Sequence, residues 1–383
     1  MADQITTIPK GWKMTTLGQV LDIKNGKSRP GDGTQHPVYG GNGILGYADD
    51  YNIAEKTIIV GRVGAYCGSI FLEKEKFWLS DNALGVLAKK ESTIAFLYYL
   101  LKKINLNKQA IGGAQPLLTQ GVINQIEALV PEQVEEQRAI ATVLSSFDDK
   151  IELLSEQNKT LEAAAQAIFK EWFVNFNLPA EVLTKAGFPD GKIKMIDSEL
   201  GKIPEGWRVG GLGDLTNIVY GKNLPTENLK KVGYPVFGAN GQIGFYDEYL
   251  YEDQQVLVSC RGEASGKVNI SLPYSFITNN SLVLEIPKCS DLNFSFLKFF
   301  SLNMDYQIYV SGSAQPQITI ETIKHCPVLL PDKKTLVKFD ILTQPINKKL
   351  LSNSSQIQTI SALREALLPK LMKGELRVKR FNN

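Results

Sequence analysis

Two stretches of the chain carry core-type residues at intervals of four and three that alternate without a break. In the first, the series runs Ile140, Leu144, Phe147, Ile151, Leu154, Asn158, Leu161, Ala165, Ile168 and Trp172. In the second it runs Phe339, Thr343, Ile346, Leu350, Asn353, Ile357, Ile360, Arg364, Leu367 and Leu371. This period keeps one face of a helix turned toward a partner helix, so each stretch predicts a long helix with a coiled-coil seam. A helix packed only on its own globular domain is the alternative. Polar residues interrupt the two seams at different places, Asn158 in one and Thr343, Asn353 and Arg364 in the other. Such residues fix register or orientation.

Upstream of each seam the pattern changes. Short runs such as Thr57-Ile58-Ile59-Val60 and Val256-Leu257-Val258, separated by glycine-rich turns, predict strands. A short amphipathic helix over about 92–104 and 292–304 follows the strands in each case.

The parallel is a duplication. Ile8-Pro9-Lys10-Gly11-Trp12 returns as Ile203-Pro204-Glu205-Gly206-Trp207, and LGQVLDIKNGK (17–27) returns as LGDLTNIVYGK (212–222). Ser80-Asp81-Asn82-Ala83-Leu84 matches Thr278-Asn279-Asn280-Ser281-Leu282, and Gly113-Ala114-Gln115-Pro116 matches Ser313-Ala314-Gln315-Pro316. The chain of 383 residues is therefore two copies of one unit. The expected boundaries are a mixed domain at 1–131, a helical region at 132–173, a linker at 174–202, a second mixed domain at 203–331 and a second helical region at 332–383.

Gly41-Asn42-Gly43-Ile44-Leu45-Gly46 spells G-x-G-x-x-G, the pattern of a dinucleotide loop. Such a loop needs a helix behind it to hold the pyrophosphate, and the next residues, Tyr47-Ala48-Asp49-Asp50-Tyr51-Asn52, show no helical period. The stretch PVYGGNGILGYADDY (37–51) also recurs as PVFGANGQIGFYDEY (235–249), 8 of 15 positions identical, with Ala239 in place of the first glycine. Glycines serving a turn between strands fit both copies; Asn42 and Asn240 read as turn residues.

Charge separates the two helical regions. Residues 132–202 hold 13 acidic and 8 basic side chains, while 332–383 hold 4 acidic and 11 basic. The mixed domains stay near balance at +3 and −3. An acidic and a basic helix attract, whereas two copies of either repel. A pseudo-twofold relation between the copies predicts antiparallel helices with one mixed domain at each end. The fold class expected is α+β: two mixed α/β domains separated by an antiparallel coiled coil.

Composition narrows the chemistry. Apolar residues make up 43% and charged residues 21%, ordinary for a globular chain. Cys67, Cys260, Cys289 and Cys326 are far apart, and the two histidines, His36 and His325, lack metal spacing. A histidine-based triad or a metal site is not expected. No apolar run approaches a membrane span and the N-terminus lacks a signal core, so a soluble cytoplasmic protein is expected. There is no Asn-Pro-Pro-Tyr/Phe motif for amino methylation and no Walker loop. Pro189-Asp190 with Glu199 and Lys202 evokes a nuclease carboxylate cluster, but its spacing is wrong.

The architecture and several sequence words resemble the DNA-specificity subunit of type I restriction-modification enzymes. The words are Ile203-Pro204-Glu205-Gly206-Trp207 preceded by Asp197-Ser198-Glu199-Leu200-Gly201, and Val130-Pro131 with Glu136-Gln137-Arg138-Ala139-Ile140. Phe147-Asp148-Asp149-Lys150-Ile151 and the ending Leu367-Leu368-Pro369-Lys370-Leu371-Met372-Lys373-Gly374-Glu375-Leu376 complete them. Copy two departs at its helix start, where Asp332-Lys333-Lys334-Thr335-Leu336 stands. The resemblance implies two target-recognition domains that read a gapped double-stranded DNA site, with no catalysis by the chain itself. It implies two methyltransferase subunits as partners and two restriction subunits in the full complex. S-adenosylmethionine, ATP and Mg belong to those partners and no cofactor to this chain. Residues 136–151, where the words are densest, are the expected docking region.

Base reading needs Arg, Lys, Asn or Gln at groove edges, with basic groups and amides at phosphates. Candidates in the first domain are Lys24, Asn25, Lys27, Ser28, Arg29, Arg62, Tyr66 and Gln115. Lys222, Asn223, Arg261, Lys267, Gln315 and Gln317 are their expected counterparts. The modest charge of both domains predicts weak DNA binding by the isolated chain. A free-standing two-headed DNA-binding regulator is the second reading, and a nucleotide-dependent enzyme the third. The helices would act as a ruler: about 33 residues at ~1.5 Å each span roughly 50 Å, with an unread gap of about 6–7 bp between half-sites on one DNA face.

Overall fold

The computed structural model describes residues 8–112, 116–186, 192–288, 290–312 and 315–378. It forms two compact units, Met1–Leu154 with Gln356–Asn383, and Ser155–Ser355. Two 40-residue helices, Val134–Phe173 and Lys333–Met372, each contribute one end to each unit. The compact units therefore divide inside the helices, away from the domain edges expected from sequence.

In unit 1 a four-stranded sheet has the order Leu21–Asn25, Ala83–Ala88, Thr57–Gly61, Ile70–Glu73, all neighbours antiparallel. The Thr57–Gly61 strand is buried along its whole length because both faces of this sheet are covered. On one face Ile58, Val60, Leu84 and Val86 pack with Phe96, Leu97 and Leu100 of helix Ile94–Ile104 and with Ile140 and Leu144 of the first long helix. On the other face Ile59 and Ala83 pack with Tyr39, Phe77 and Leu79. These come from a three-stranded sheet ordered Gly43–Ala48, His36–Gly40, Trp78–Leu79, and its approach. Trp12–Thr16 pairs with Glu127–Pro131 and closes the domain beside the helix start.

Unit 2 has the same topology. Its four-stranded sheet is ordered Asn217–Tyr220, Ser281–Glu285, Val256–Ser259, Val268–Ile270, and its three-stranded sheet Gly241–Tyr246, Tyr234–Gly238, Phe276–Ile277. Arg208–Gly211 pairs with Pro327–Leu330. Helix Phe294–Asn303 covers the first sheet through Phe296, Leu297 and Phe299.

The glycine motif sits in a hairpin. Gly40 pairs with Gly43 across the Gly41-Asn42 turn, and Gly43 has φ +88°, a conformation that favours glycine. Gly238 pairs with Gly241 (φ +103°) in unit 2. No helix follows either turn, so the arrangement that holds a pyrophosphate is missing among these residues.

The seam positions are buried or half-buried in both units. In unit 1 Ile140 and Leu144 share a core with Leu371 and Met372, while Asp148 bonds Arg364 farther along. In unit 2 Asn353 Nδ2 donates to Asn158 Oδ1 at 2.9 Å, and Phe169, Trp172 and Phe173 close on Phe339. Within each unit one helix advances as the other retreats. The helices also pack on the mixed domains, so the seam and its alternative hold together: Phe173 touches Phe296 and Trp207 as well as Phe339. Burying each such aromatic contributes about 1.5–3 kcal/mol.

Residues 174–202 are more than a linker. They contain helix Ala180–Ala186 and the strand Met195–Ser198, paired with Gly201–Pro204. Leu178, Val182 and Leu183 are buried in the core of unit 2. Their apolar spacing is too short to register as a periodic element.

Candidate nucleic-acid interface

Each unit gathers loops from its two sheets along one rim. In unit 1 the strand ending at Asn25 crosses from the four-stranded sheet to the three-stranded one. Lys27 N–H donates to Leu79 O at 3.0 Å and pairs with Ser80. Gly26 permits the crossing, because a Cβ there would collide with the carbonyl oxygen of Ser80. Ser69 Oγ–H donates to Gly41 O, which anchors the hairpin turn to the same place. Arg62 N–H donates to Asn82 O at 3.0 Å, and Gly64 N–H to Pro116 O at 3.0 Å. Lys27, Ser28, Asn42, Arg62, Tyr66 and Asn82 thus belong to one set of linked loops. Tyr66 is 56% exposed, and the Arg62 Nε is buried without a hydrogen-bond partner.

Other candidates have different partners. Lys24 pairs with Glu55 at 3.1 Å, Asn25 accepts from Gln120 Nε2 at 3.1 Å, and Arg29 pairs with Asp32 at 2.9 Å. Gln115 lies outside the described residues, as do Pro189 and Asp190 of the nuclease-like cluster and Cys289. Lys202 pairs with Asp197 across its own hairpin.

In unit 2 the same backbone bonds recur. Lys222 N–H donates to Ile277 O at 2.9 Å, and Gly221 is the crossing glycine, its Cβ position blocked by Thr278 O. Ser259 Oγ–H and Asn269 Nδ2–H both donate to Ala239 O at the hairpin turn. Cys260 N–H donates to Asn280 O at 2.9 Å, and Gly262 N–H to Pro316 O at 2.9 Å. Lys222, Asn223, Arg261, Lys267, Gln315 and Gln317 are exposed.

These bonds set the residue-by-residue match between the two groups of candidates. Arg62 and Arg261 are not counterparts. Leu118 N–H donates to Arg62 O, and Ile318 N–H donates to Cys260 O. The residue matching Arg62 is therefore Cys260, whose thiol burial pushes up from its ordinary value. Arg261 matches Val63, and the two pair across with Gln317 and Leu117 respectively. A slip of one position reverses the side of a strand on which a side chain emerges. Lys267 likewise matches Ser69: Ser259 N–H donates to Lys267 O as Gly61 N–H does to Ser69 O.

Sequence reasoning also passed over Asn82 and Asn280, both exposed at the rim. The signal was present in the repeated words Ser80-Asp81-Asn82 and Thr278-Asn279-Asn280, which read as repeat markers rather than loop residues. Among the described residues no group of three His, Cys, Asp or Glu side chains is placed to hold a metal ion. No described helix is long and apolar enough to cross a membrane.

Two mixed units with matching topology and matching rims define an internally duplicated α/β protein. The chain matches the family described as type I restriction modification DNA specificity domain twice, over residues 9–163 and 204–362. It belongs to that family of specificity subunits. The MjaIX specificity subunit of Methanocaldococcus jannaschii is 31% identical over 340 residues, spanning 81% of this chain and 76% of that protein. The HindI specificity subunit of Haemophilus influenzae is 24% identical over 336 residues, 69% of this chain and 72% of that one. The crystal structure of a type I S subunit from M. genitalium covers 96% of this chain and 98% of its own at 19% identity, with a TM-score of 0.62, and so shares the fold.

Proposed function

We propose that this chain reads a bipartite, gapped DNA site, one half-site per unit, for a type I restriction-modification complex. One observation carries the reading. The two units keep the same backbone bonds at the rim while presenting different exposed side chains, Val63 against Arg261 for example. A constant scaffold with a variable surface is what two readers of different words require.

The two long helices act as an antiparallel coiled-coil spacer in this reading. The surface that remains on them receives two methyltransferase subunits, and the complete complex adds two endonuclease subunits. S-adenosylmethionine, ATP and Mg reside on those subunits. Within the 136–151 region, Gln137 is buried and its amide donates to Glu91 O and Pro131 O, while Glu136 accepts from Trp12 Nε1. Arg138, Thr142, Ser146, Asp149 and Lys150 are the exposed positions left for docking.

The test is an exchange of residues 13–130 for the equivalent domain of a relative, followed by methylome sequencing of cells carrying the partner subunits. One half-site should change and the other should stay. A change in both halves overturns the two-reader assignment. Tight sequence-specific binding by the chain alone would favour the free-standing regulator.

A further inference from the structure

Three positions at each rim form a small antiparallel ladder. In unit 1 Val63 pairs with Leu117 and Leu117 with Ile111; in unit 2 Arg261 pairs with Gln317 and Gln317 with Ser311. The backbone bonds are the same in both. Ile111 and Leu117 exchange N–H···O bonds of 3.0 and 2.8 Å, and Ser311 and Gln317 exchange two of 2.9 Å. Residues directly opposite one another on antiparallel strands share a face, so each trio presents one surface.

The chemistry of the two surfaces is opposite. Val63 is 38% and Ile111 51% exposed, with Leu117 half-buried between them. Arg261, Gln317 and Ser311 are all exposed. The apolar trio stands outside the buried clusters of unit 1, and two of its three members are exposed. In the DNA major groove the C5-methyl of thymine is the apolar feature of the base edges. The O6/N7 pair of guanine is the edge that matches a guanidinium fork.

We propose that this ladder is a base-reading edge of each unit, and that Arg261 with Gln317 reads a guanine while Val63, Leu117 and Ile111 read a thymine methyl. The inference rests on the DNA-reading function proposed above and names the base chemistry at its rim. Ser311 and Ile111 set how closely each edge approaches, the smaller residue leaving room for the longer Arg261 side chain.

Synthetic duplexes carrying the methylated motif, bound by the chain in complex with its methyltransferase subunits, provide the test. Replacing one guanine of the half-site read by unit 2 with 7-deazaguanine removes the N7 acceptor. Binding should weaken by about 10-fold, the loss of one of the two bonds of a bidentate pair, and the analogue should cause no weakening in Arg261→Leu. Replacing one thymine by deoxyuridine in the other half-site removes only the methyl; binding should fall several-fold in the natural chain and be unaffected in Val63→Ser. Both substitutions are at exposed positions, and the base analogues need no variant at all. Uniform weakening of all sequences by Arg261→Leu, with a shallower salt dependence, would mean a phosphate contact and overturn the guanine assignment. Tolerance of deoxyuridine at every position, with Val63→Ser losing the methyltransferase, would assign the apolar edge to a protein contact instead. Absence of any split motif defeats the two-reader function itself. A split motif without guanine in the second half-site defeats only this inference.

Discussion

Where each mixed domain meets its long helix, the two units place different groups at the same point. In unit 1 the Tyr99 hydroxyl donates to Asp148 Oδ2 at 2.7 Å, and the Arg364 guanidinium bonds the other oxygen. In unit 2 the matching residues are Lys298 and Asn347, with Lys298 Nζ donating to Asn347 Oδ1 at 2.8 Å. Asn347 Nδ2 donates in turn to Ser295 Oγ, which donates to Asp340. A carboxylate that is three-quarters buried needs a cation, and Arg364 supplies one. A lysine 4% exposed needs an acceptor, and an amide suffices. Burial and the Asp148 carboxylate push the Tyr99 hydroxyl upward, so it stays a donor. The helix-to-domain geometry is therefore common to both units, while the polar pair that fixes it is local to each.

The comparison breaks first where the units agree. Gly26→Ala and Gly221→Ala each drive a Cβ into a backbone carbonyl that belongs to the crossing between sheets. Backbone cannot yield as a side-chain tip does, so each substitution should cost about 3 kcal/mol or more. Urea unfolding should show the loss, and each unit should be affected through its own glycine. A cost below 1 kcal/mol at either position would show that the crossing relaxes freely.

These glycines also mark the limit of what the chain discloses on reading. The long helices were legible because a period of four and three persists over many residues, and the Thr57–Gly61 core strand because its apolar run is continuous. The duplication was legible from its words. The crossing was not: Gly26 and Gly221 look like turn residues, and only the approach of Ser80 O and Thr278 O makes them necessary. The rim was half legible. Its polar candidates were visible, but the residue-by-residue match of Arg62 with Cys260 and Val63 with Arg261 came only from the backbone bonds, and without it the apolar edge of unit 1 stayed hidden. The pairs Tyr99–Asp148 and Lys298–Asn347 gave no sign of equivalence, since hydrogen-bond complementarity survives when both partners change type.

The next test separates the units. Arg364→Leu leaves the Asp148 carboxylate without its cation in unit 1, while Tyr99 continues to donate to it. A cost of about 2 kcal/mol is expected from the loss of a charged hydrogen bond at a partly buried site. Asp148→Asn in the same chain should recover part of that loss, because the amide needs no counter-charge. Hydrogen exchange should place the weakening in unit 1, with unit 2 core amides unchanged. Equal losses in the single and double variants would mean that the ion pair is not what Arg364 contributes.

The smallest effect is expected at Lys298. Burial lowers its pKa below the ordinary lysine value, with Glu162 opposing that shift. The folded chain therefore binds this proton less tightly than the unfolded chain does. The resulting penalty is complete at pH values below the folded pKa, and it lifts as pH rises from there toward the unfolded value. Lys298→Met removes the penalty but strands Asn347 Oδ1 without its donor. The two changes oppose, so stability at neutral pH should shift by no more than about 1 kcal/mol. As pH rises into the alkaline range, the natural chain should gain on the variant, because only its own penalty is being relieved. Urea midpoints for both proteins across that range provide the measurement. A difference that stays constant with pH, or a loss at neutral pH comparable to that of Arg364→Leu, would show that the buried lysine of unit 2 is held by as strong a charge pairing as Asp148 in unit 1.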